Sequence, residues 1–326
     1  MIEQPKIMGI FGTGRSGSSW LGSIADSHPH VAYRFEPFHR LKHYPAIHQI
    51  RQLLNSPELV DADLEQAYQL LLASHPKTER PPFFAKNYFT KGKTWMRLPA
   101  RVLKPVHPLF RWLYTPKNRP PLIFKEVTLE KMMANLLAKT SMKVVYLVRH
   151  PCAVVNSTLN GMKKGYMPEE RHHVLDKLLA RHDAALAEKY ASQFAHMGAL
   201  EKETLLWRMD VEQGIAAAKD HSNALIILYE ELCTDPQKVA EKMFQHFELE
   251  FSSQTTEYIK LFLGENAEKK ASYKEYGVKN YFSVFQNPAK IKDKWKQQLS
   301  TEEQQKITSF LEDSEAFHYC VSLGQW

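Results

Sequence analysis

Apolar residues along this chain follow two periods. Short continuous runs stand at 7–11 (IMGIF), 31–35 (VAYRF), 122–125 (LIFK), 143–148 (KVVYLV) and 224–229 (ALIILY). Their length and β-branched content predict strands buried on both faces. Between them, apolar positions at helical spacing predict helices at 17–27, 62–74, 129–139, 171–195 and 236–247, and another after 148 that carries Ser157. Ser300 and Glu303 have the spacing of a capping box, which opens a last helix. Alternating β and α elements predict an α/β fold with a central parallel sheet flanked by helices in three layers.

The turn after the first strand carries the strongest chemical signal, GIFGTGRSGSSW at 9–20. Gly12 and Gly17 have the G-x-x-x-x-G spacing of a P-loop, in which backbone N–H groups converge on an anion at a helix N-terminus. The lysine that a nucleotide triphosphatase places next is absent; Ser18 and Ser19 follow instead, and Arg15 sits inside the loop. Arg15, Ser16, Gly17, Ser18, Ser19 and Trp20 are therefore candidates for holding a 5′-phosphate group without triphosphate hydrolysis, on a P-loop-like fold.

The strand at 143–148 ends in Arg149-His150-Pro151. A Walker-B strand would end in an aspartate for magnesium. A cation at the carboxyl edge of a parallel sheet points into the ligand crevice and suits a second anion, with no metal.

Together these segments resemble the sulfotransferases that use 3′-phosphoadenosine 5′-phosphosulfate (PAPS). The RSGSSW loop is similar to their 5′-phosphosulfate loop, and Arg149 with Ser157, eight residues on, to their 3′-phosphate site. Three further segments match in order: FKEVTL at 124–129, ALIILYEELCTDP at 224–236 and KWKQQLSTEEQQKI at 294–307. The second of these implies Tyr229 near the adenine. Within the superfamily the chain most resembles the carbohydrate 6-O-sulfotransferases, which have arginine and paired serines in the first loop and an aromatic-Glu-Pro segment after the first helix, here Phe35-Glu36-Pro37. Those enzymes are membrane-anchored lumenal proteins, and no anchor is expected here.

The resemblance implies transfer of a sulfuryl group from PAPS to an acceptor hydroxyl of a glycan or glycolipid, with PAP as product. Arg15 would stabilise charge on the bridging oxygen. Glu36 is the first candidate for the base, His39 the second, and Lys125 a candidate for assisting at the sulfuryl oxygens. The alternatives are a small lipid or phenolic alcohol as acceptor, a P-loop nucleotide kinase, and a non-catalytic nucleotide binder. The missing lysine and strand-end aspartate argue against the kinase.

Composition fits one large domain over 1–326, with a basic, aromatic insertion at about 40–120. The chain is 44% hydrophobic, with a net charge of +7. No apolar run reaches the length of a membrane span. The start goes straight into the first strand without the basic region of a signal peptide. Three widely spaced cysteines point to a reducing, cytoplasmic setting and to no zinc cluster. Arg171-His172-His173 reads as a solvated helix start. The segment 83–120 holds nine Lys or Arg and no Asp or Glu, interleaved with aromatics. It reads in three ways: an acceptor-recognition lobe, a peripheral membrane contact, or a packed insertion with its cations in water. No nucleic-acid motif is present.

Overall fold

The computed structural model describes residues 6–79, 84–89, 96–264 and 291–326. The strands are β1 (Ile7–Gly12), β2 (Ala32–Phe35), β3 (Leu122–Lys125), β4 (Lys143–Val148) and β5 (Ala224–Leu228), and they form one parallel sheet in the order β2-β3-β1-β4-β5. Helix α1 (Ser18–Ser27) follows β1. Between β2 and β3 lie α2 (Pro37–Arg40), α3 (Pro45–Leu54), α4 (Asp63–Leu72), α5 (Arg97–Val102) and α6 (His107–Tyr114). Helix α7 (Glu130–Lys139) joins β3 to β4. Helices α8 (Pro151–Lys163), α9 (Leu175–His182), α10 (Ala184–Tyr190) and α11 (Ala199–Ala218) lie between β4 and β5, and α12 (Tyr229–Thr234), α13 (Pro236–His246) and α14 (Ser253–Leu263) come after β5.

Alternate strand residues feed opposite layers. Met8, Ile10, Val145 and Leu147 pack with α1, α13 and α14. Phe11, Val144, Tyr146 and Val148 pack with α7, α8 and α11. This is the predicted three-layer α/β arrangement. It sets the carboxyl ends of all five strands along one edge, with Phe35 level with Lys125, Gly12 with Leu147, and Val148 with Leu228.

Two expectations about the helices are corrected. The single helix expected over 171–195 is a 3₁₀ turn at Glu170–Val174 followed by α9 and α10. The break falls at Asp183, whose extended backbone ends α9 and whose carboxylate caps α10 by accepting the Leu186 N–H at 3.0 Å. The 20-residue α11 was not anticipated. Thr204 to Val211 are all buried, so no amphipathic stripe marks it. Its buried Arg208 is satisfied by Glu212 at 2.8 Å and Asp313 at 2.6 Å.

The described part of 83–120 is a packed element. Lys86 is 8% exposed and donates to the carbonyls of Asp26, His28 and Val31, with its Nζ 2.9 Å from the Asp26 carboxylate. Phe89, Met96, Ala100, Phe110 and Tyr114 form a small core of their own. Trp95 and Phe83 lie outside the described residues.

Candidate active site

Each loop that leaves the carboxyl edge of the sheet brings one part of the site. The β1–α1 turn bends through two residues with positive φ, Arg15 (66°) and Gly17 (93°). Glycine is required at 17, because a Cβ there would stand 2.2 Å from the Tyr229 ring as well as adopt a left-handed backbone. Ser18 and Ser19 at the start of α1 line the cleft, and among the described residues no side chain caps that end and its first turn holds no acid. That end favours an anion through its free donors and its dipole.

Arg15 reaches across the crevice, and its Nε donates to Ser157 Oγ on α8 at 3.0 Å. Arg149 follows β4. Its Nη1 donates to the Arg15 carbonyl at 3.1 Å, and its guanidinium lies 4.4 Å over the Tyr229 ring. The Trp207 indole N–H on α11 fixes the Arg149 carbonyl at 3.1 Å. Arg15, Ser157, Arg149 and Tyr229 thus meet in space as the spacing of their motifs suggested. Tyr229 is the first residue of α12, beneath the loop and the guanidinium.

The cleft holds about 1660 Å³ and is lined by Arg15, Gly17, Ser18, Ser19, Trp20, Glu36, His39, Lys125, Arg149, Ser157 and Tyr229. Ser16 is the exception among the loop candidates. It is fully buried under the turn and does not line the cleft. The side-chain hydroxyls of Thr13 and Ser16, the Trp20 indole N–H and the Arg149 Nε are buried without a protein partner among the described residues. Buried donors are rarely left so, because each orphan costs about 1–3 kcal/mol. The Trp20 ring stacks on Phe262 at 4.5 Å, which gives this end of the cleft a flat aromatic wall.

The acid–base groups stand on the other side of the loop. Glu36 leaves β2 with φ 48°, and its Oε1 accepts from Lys125 Nζ at 2.6 Å; Arg40 Nε lies 3.5 Å from its other oxygen. Lys125, 1% exposed, and Arg40 both pack on the Phe35 ring, 4.9 and 4.5 Å from its centroid. Arg34 is not a partner of Glu36: it is buried and spent on Glu79, Ser74 and the carbonyls of Tyr33, Leu71 and Leu72.

His39 is half-exposed, with Nδ1 3.6 Å from Glu126 Oε2. Glu126 has no exposure, and burial holds its carboxyl above the ordinary range while its Oε1 takes the Phe38 N–H at 2.6 Å. Left-handed backbone at Arg15 and Glu36 is strained for side-chain-bearing residues, and such strain collects at functional sites.

Sequence reasoning missed Trp207 and Phe262; it named Glu126, next to Lys125 in FKEVTL, as either structural or orienting that lysine. Trp207 lies in α11, whose burial left no periodic signal to find it by. Arg171 and His172, read as solvated, are paired: Arg171 makes two bonds to Asp210 at 2.6 and 2.7 Å, and the buried His172 lies 2.9 Å from Glu203. No residue described in 84–89 or 96–120 lines the cleft, which removes that part of the insertion from the acceptor wall. His150 caps α8 by accepting the Cys152 N–H and stacks on Trp295 at 4.4 Å; burial, with Lys296 and Arg149 nearby, lowers its pKa to about 4. Among the described residues there is no cluster of His, Cys, Asp or Glu fit for a metal.

The sequence profile of the sulfotransferase domain matches residues 5–319. Similar solved structures include the sulfotransferase domain of the Synechococcus PCC 7002 olefin synthase, 17% identical, covering 94% of this chain and 95% of that one with a TM-score of 0.46. Another is the sulfotransferase domain from the curacin biosynthetic pathway, 16% identical, covering 94% and 98% with a TM-score of 0.49. A third is mouse sulfotransferase SULT7A1 complexed with PAP, 12% identical, covering 95% and 84% with a TM-score of 0.47. No curated protein sequence matches the chain. The chain belongs to the sulfotransferase-domain family and is a sulfotransferase.

Proposed function

We propose that this sulfotransferase takes PAPS as donor in the 1660 Å³ cleft, passes the sulfuryl group to a hydroxyl of a glycan or glycolipid, and releases PAP, the whole chain working as one domain. The observation that carries the reading is the convergence of Arg15, Ser157 and Arg149 on the uncapped end of α1, beside the Glu36–Lys125 pair. The unpartnered Thr13 hydroxyl and Arg149 Nε fit a nucleotide with anions at both ends. The Trp20–Phe262 wall fits a purine face.

The donor supplies an activated sulfuryl group on a phosphate leaving group. The residues do the rest. Glu36 or His39 accepts the acceptor's proton as its oxygen forms the new bond to sulfur. The bond from sulfur to the 5′-phosphate oxygen breaks, and Arg15 with the α1 N–H groups neutralises the charge left on that oxygen. Lys125, fixed by Glu36 and Phe35, stands ready for the sulfuryl oxygens. The strand-end cation and the serine in place of the P-loop lysine tell against a kinase, and the buried Lys125 beside Glu36 tells against a mere binder.

The carbohydrate acceptor is supported by the arginine with paired serines in the first loop and by Phe35-Glu36-Pro37. Beyond Glu36 the cleft wall continues to Arg40, Lys42 and Arg51, which suits an acidic acceptor. A small lipid or phenolic alcohol is the competing class. A screen of the protein with PAPS and panels of glycans, glycolipids, phenols and steroids, read by product mass, decides between them. Turnover confined to phenols or steroids overturns the carbohydrate reading. A cytoplasmic setting is proposed as well: Cys152, Cys233 and Cys320 are free and buried, and burial raises each thiol to about 12, which keeps them unreactive.

Replacing Arg149 with alanine is expected to weaken PAP binding at least about tenfold, since a hydrogen bond to a charged group contributes on the order of 1.5–3 kcal/mol. Affinity for 5′-AMP should change far less. Calorimetry with both nucleotides checks this, and an equal loss for the two would remove Arg149 from the 3′-phosphate.

A further inference from the structure

We propose that the outer face of α5, α6 and the turn between them is a docking surface for an anionic lipid bilayer. In the residues 102–112, Val102 is 77% exposed, Leu103 53%, Leu109 44% and Trp112 67%. These are four of the ten large hydrophobic side chains that stand exposed among the described residues. Helix α6 explains how they come to face outward. Phe110 and Tyr114, four residues apart, take the inner side and stack on one another at 4.2 Å, so Leu109 and Trp112, three apart, are left on the outer side.

The apolar residues are set among the exposed cations Lys104, Arg111 and Lys117. Between residues 83 and 120 the chain itself has no Asp or Glu. The buried and part-buried cations of the same segment are already committed. Lys86 pairs with Asp26, and Arg97 faces Glu79 and Asp26 from a partly buried position where desolvation lowers it to about 10. Exposed Arg119 is taken by Glu65 at 2.7 Å, and Lys104, Arg111 and Lys117 remain as a field of one sign around Trp112.

That combination selects the occupant. A tryptophan and aliphatic side chains flanked by Lys and Arg suit the interface of a bilayer, where the rings enter the headgroup layer and the cations meet anionic lipid. A second copy of this face would bring like charges together. The face is also apart from the catalytic cleft, since no described residue of α5 or α6 lines it. Docking therefore holds the enzyme at a surface without closing its site, and the inference stands whichever acceptor the cleft takes.

The test is cosedimentation of the full-length protein with phosphatidylglycerol–phosphatidylcholine vesicles against phosphatidylcholine vesicles alone. Binding is expected to the anionic vesicles only and to weaken as salt is raised. Charge reversal at Lys104→Glu and Arg111→Glu should reduce partitioning by about fivefold or more for each site. Leu109→Ser with Trp112→Ser should reduce it at least about tenfold. All these side chains are exposed, so melting temperature and PAP affinity should stay at the parent values. The proposal is overturned if the parent protein does not sediment with anionic vesicles, if the serine pair binds as well as the parent, or if ultracentrifugation shows a dimer that Trp112→Ser dissolves.

Discussion

Glu36→Gln is expected to lower kcat by about 10²–10⁴-fold, the range over which a positioned base contributes. PAP affinity should barely move, because Glu36 lies on the far side of the loop from Arg149 and Ser157. The amide keeps the volume of the side chain and still presents an oxygen to Lys125 Nζ, now 2.6 Å from the carboxylate, so the buried lysine does not lose its acceptor. What the amide cannot do is take a proton. His39 is the competitor, with Glu126 3.6 Å from its Nδ1. Steady-state kinetics of His39→Asn, run beside Glu36→Gln, separate the two. If the glutamine variant turns over near the parent rate while the asparagine variant fails, the base is His39 and Glu36 orients Lys125.

Lys86→Met is expected to destabilise the fold by roughly 3–5 kcal/mol, the penalty of removing one partner from a buried ion pair. Lys86 satisfies three backbone carbonyls and the Asp26 carboxylate at once. Its loss leaves that carboxylate buried with only more distant cations. Burial already holds the Asp26 carboxyl above its ordinary value, and Lys86 is the main influence opposing it. The deficit therefore has a pH signature. A carboxyl whose pKa is raised on folding binds its proton more tightly in the folded state, so the stability it contributes is present at low pH and is lost as pH rises through the folded value. The Lys86→Met deficit should shrink as pH is lowered, and Asp26→Asn in the same chain should recover part of it. Urea unfolding at several pH values measures both. A loss that is small and independent of pH would show that the lysine is dispensable to the packing of 84–89.

The two tests bear on what a sequence discloses. The five strands were legible because each is a short apolar run, although the edge strand β5 is only partly buried over Ala224 to Ile226. The phosphate cradle was legible for a related reason: a strand end, two glycines at fixed spacing and a helix start are a local object, and Arg15, Ser18, Ser19 and Trp20 reach the cleft wherever the rest of the chain goes. Arg149 belonged to the same class, since the end of a parallel strand can only point into the crevice.

The pairings were decided elsewhere. Glu36 and Lys125 are 89 positions apart, and Arg15 and Ser157 are 142 apart. They meet because the register of β2 on β3 sets Phe35 beside Lys125 and because β4, which leads into α8, lies against β1. Sequence identified these side chains as candidates but held no measure of the distance between them. Ser16 shows the converse. Its type and place in the loop matched its neighbours, yet the turn carries it under the backbone and off the cleft wall. The basic stretch at 83–120 looked uniform as a string. Among its described residues, tertiary packing made Lys86 and Arg97 counterions for Asp26 and Glu79, gave Arg119 to Glu65, and left an outer face of exposed cations around Trp112. Helix α11 was silent because burial on all sides erases the periodicity by which a helix announces itself. Local chemistry, then, was fixed by the order of residues. Which charges are neutralised, which donors stay open and which faces meet solvent were fixed only when parallel strands distant in sequence were laid side by side.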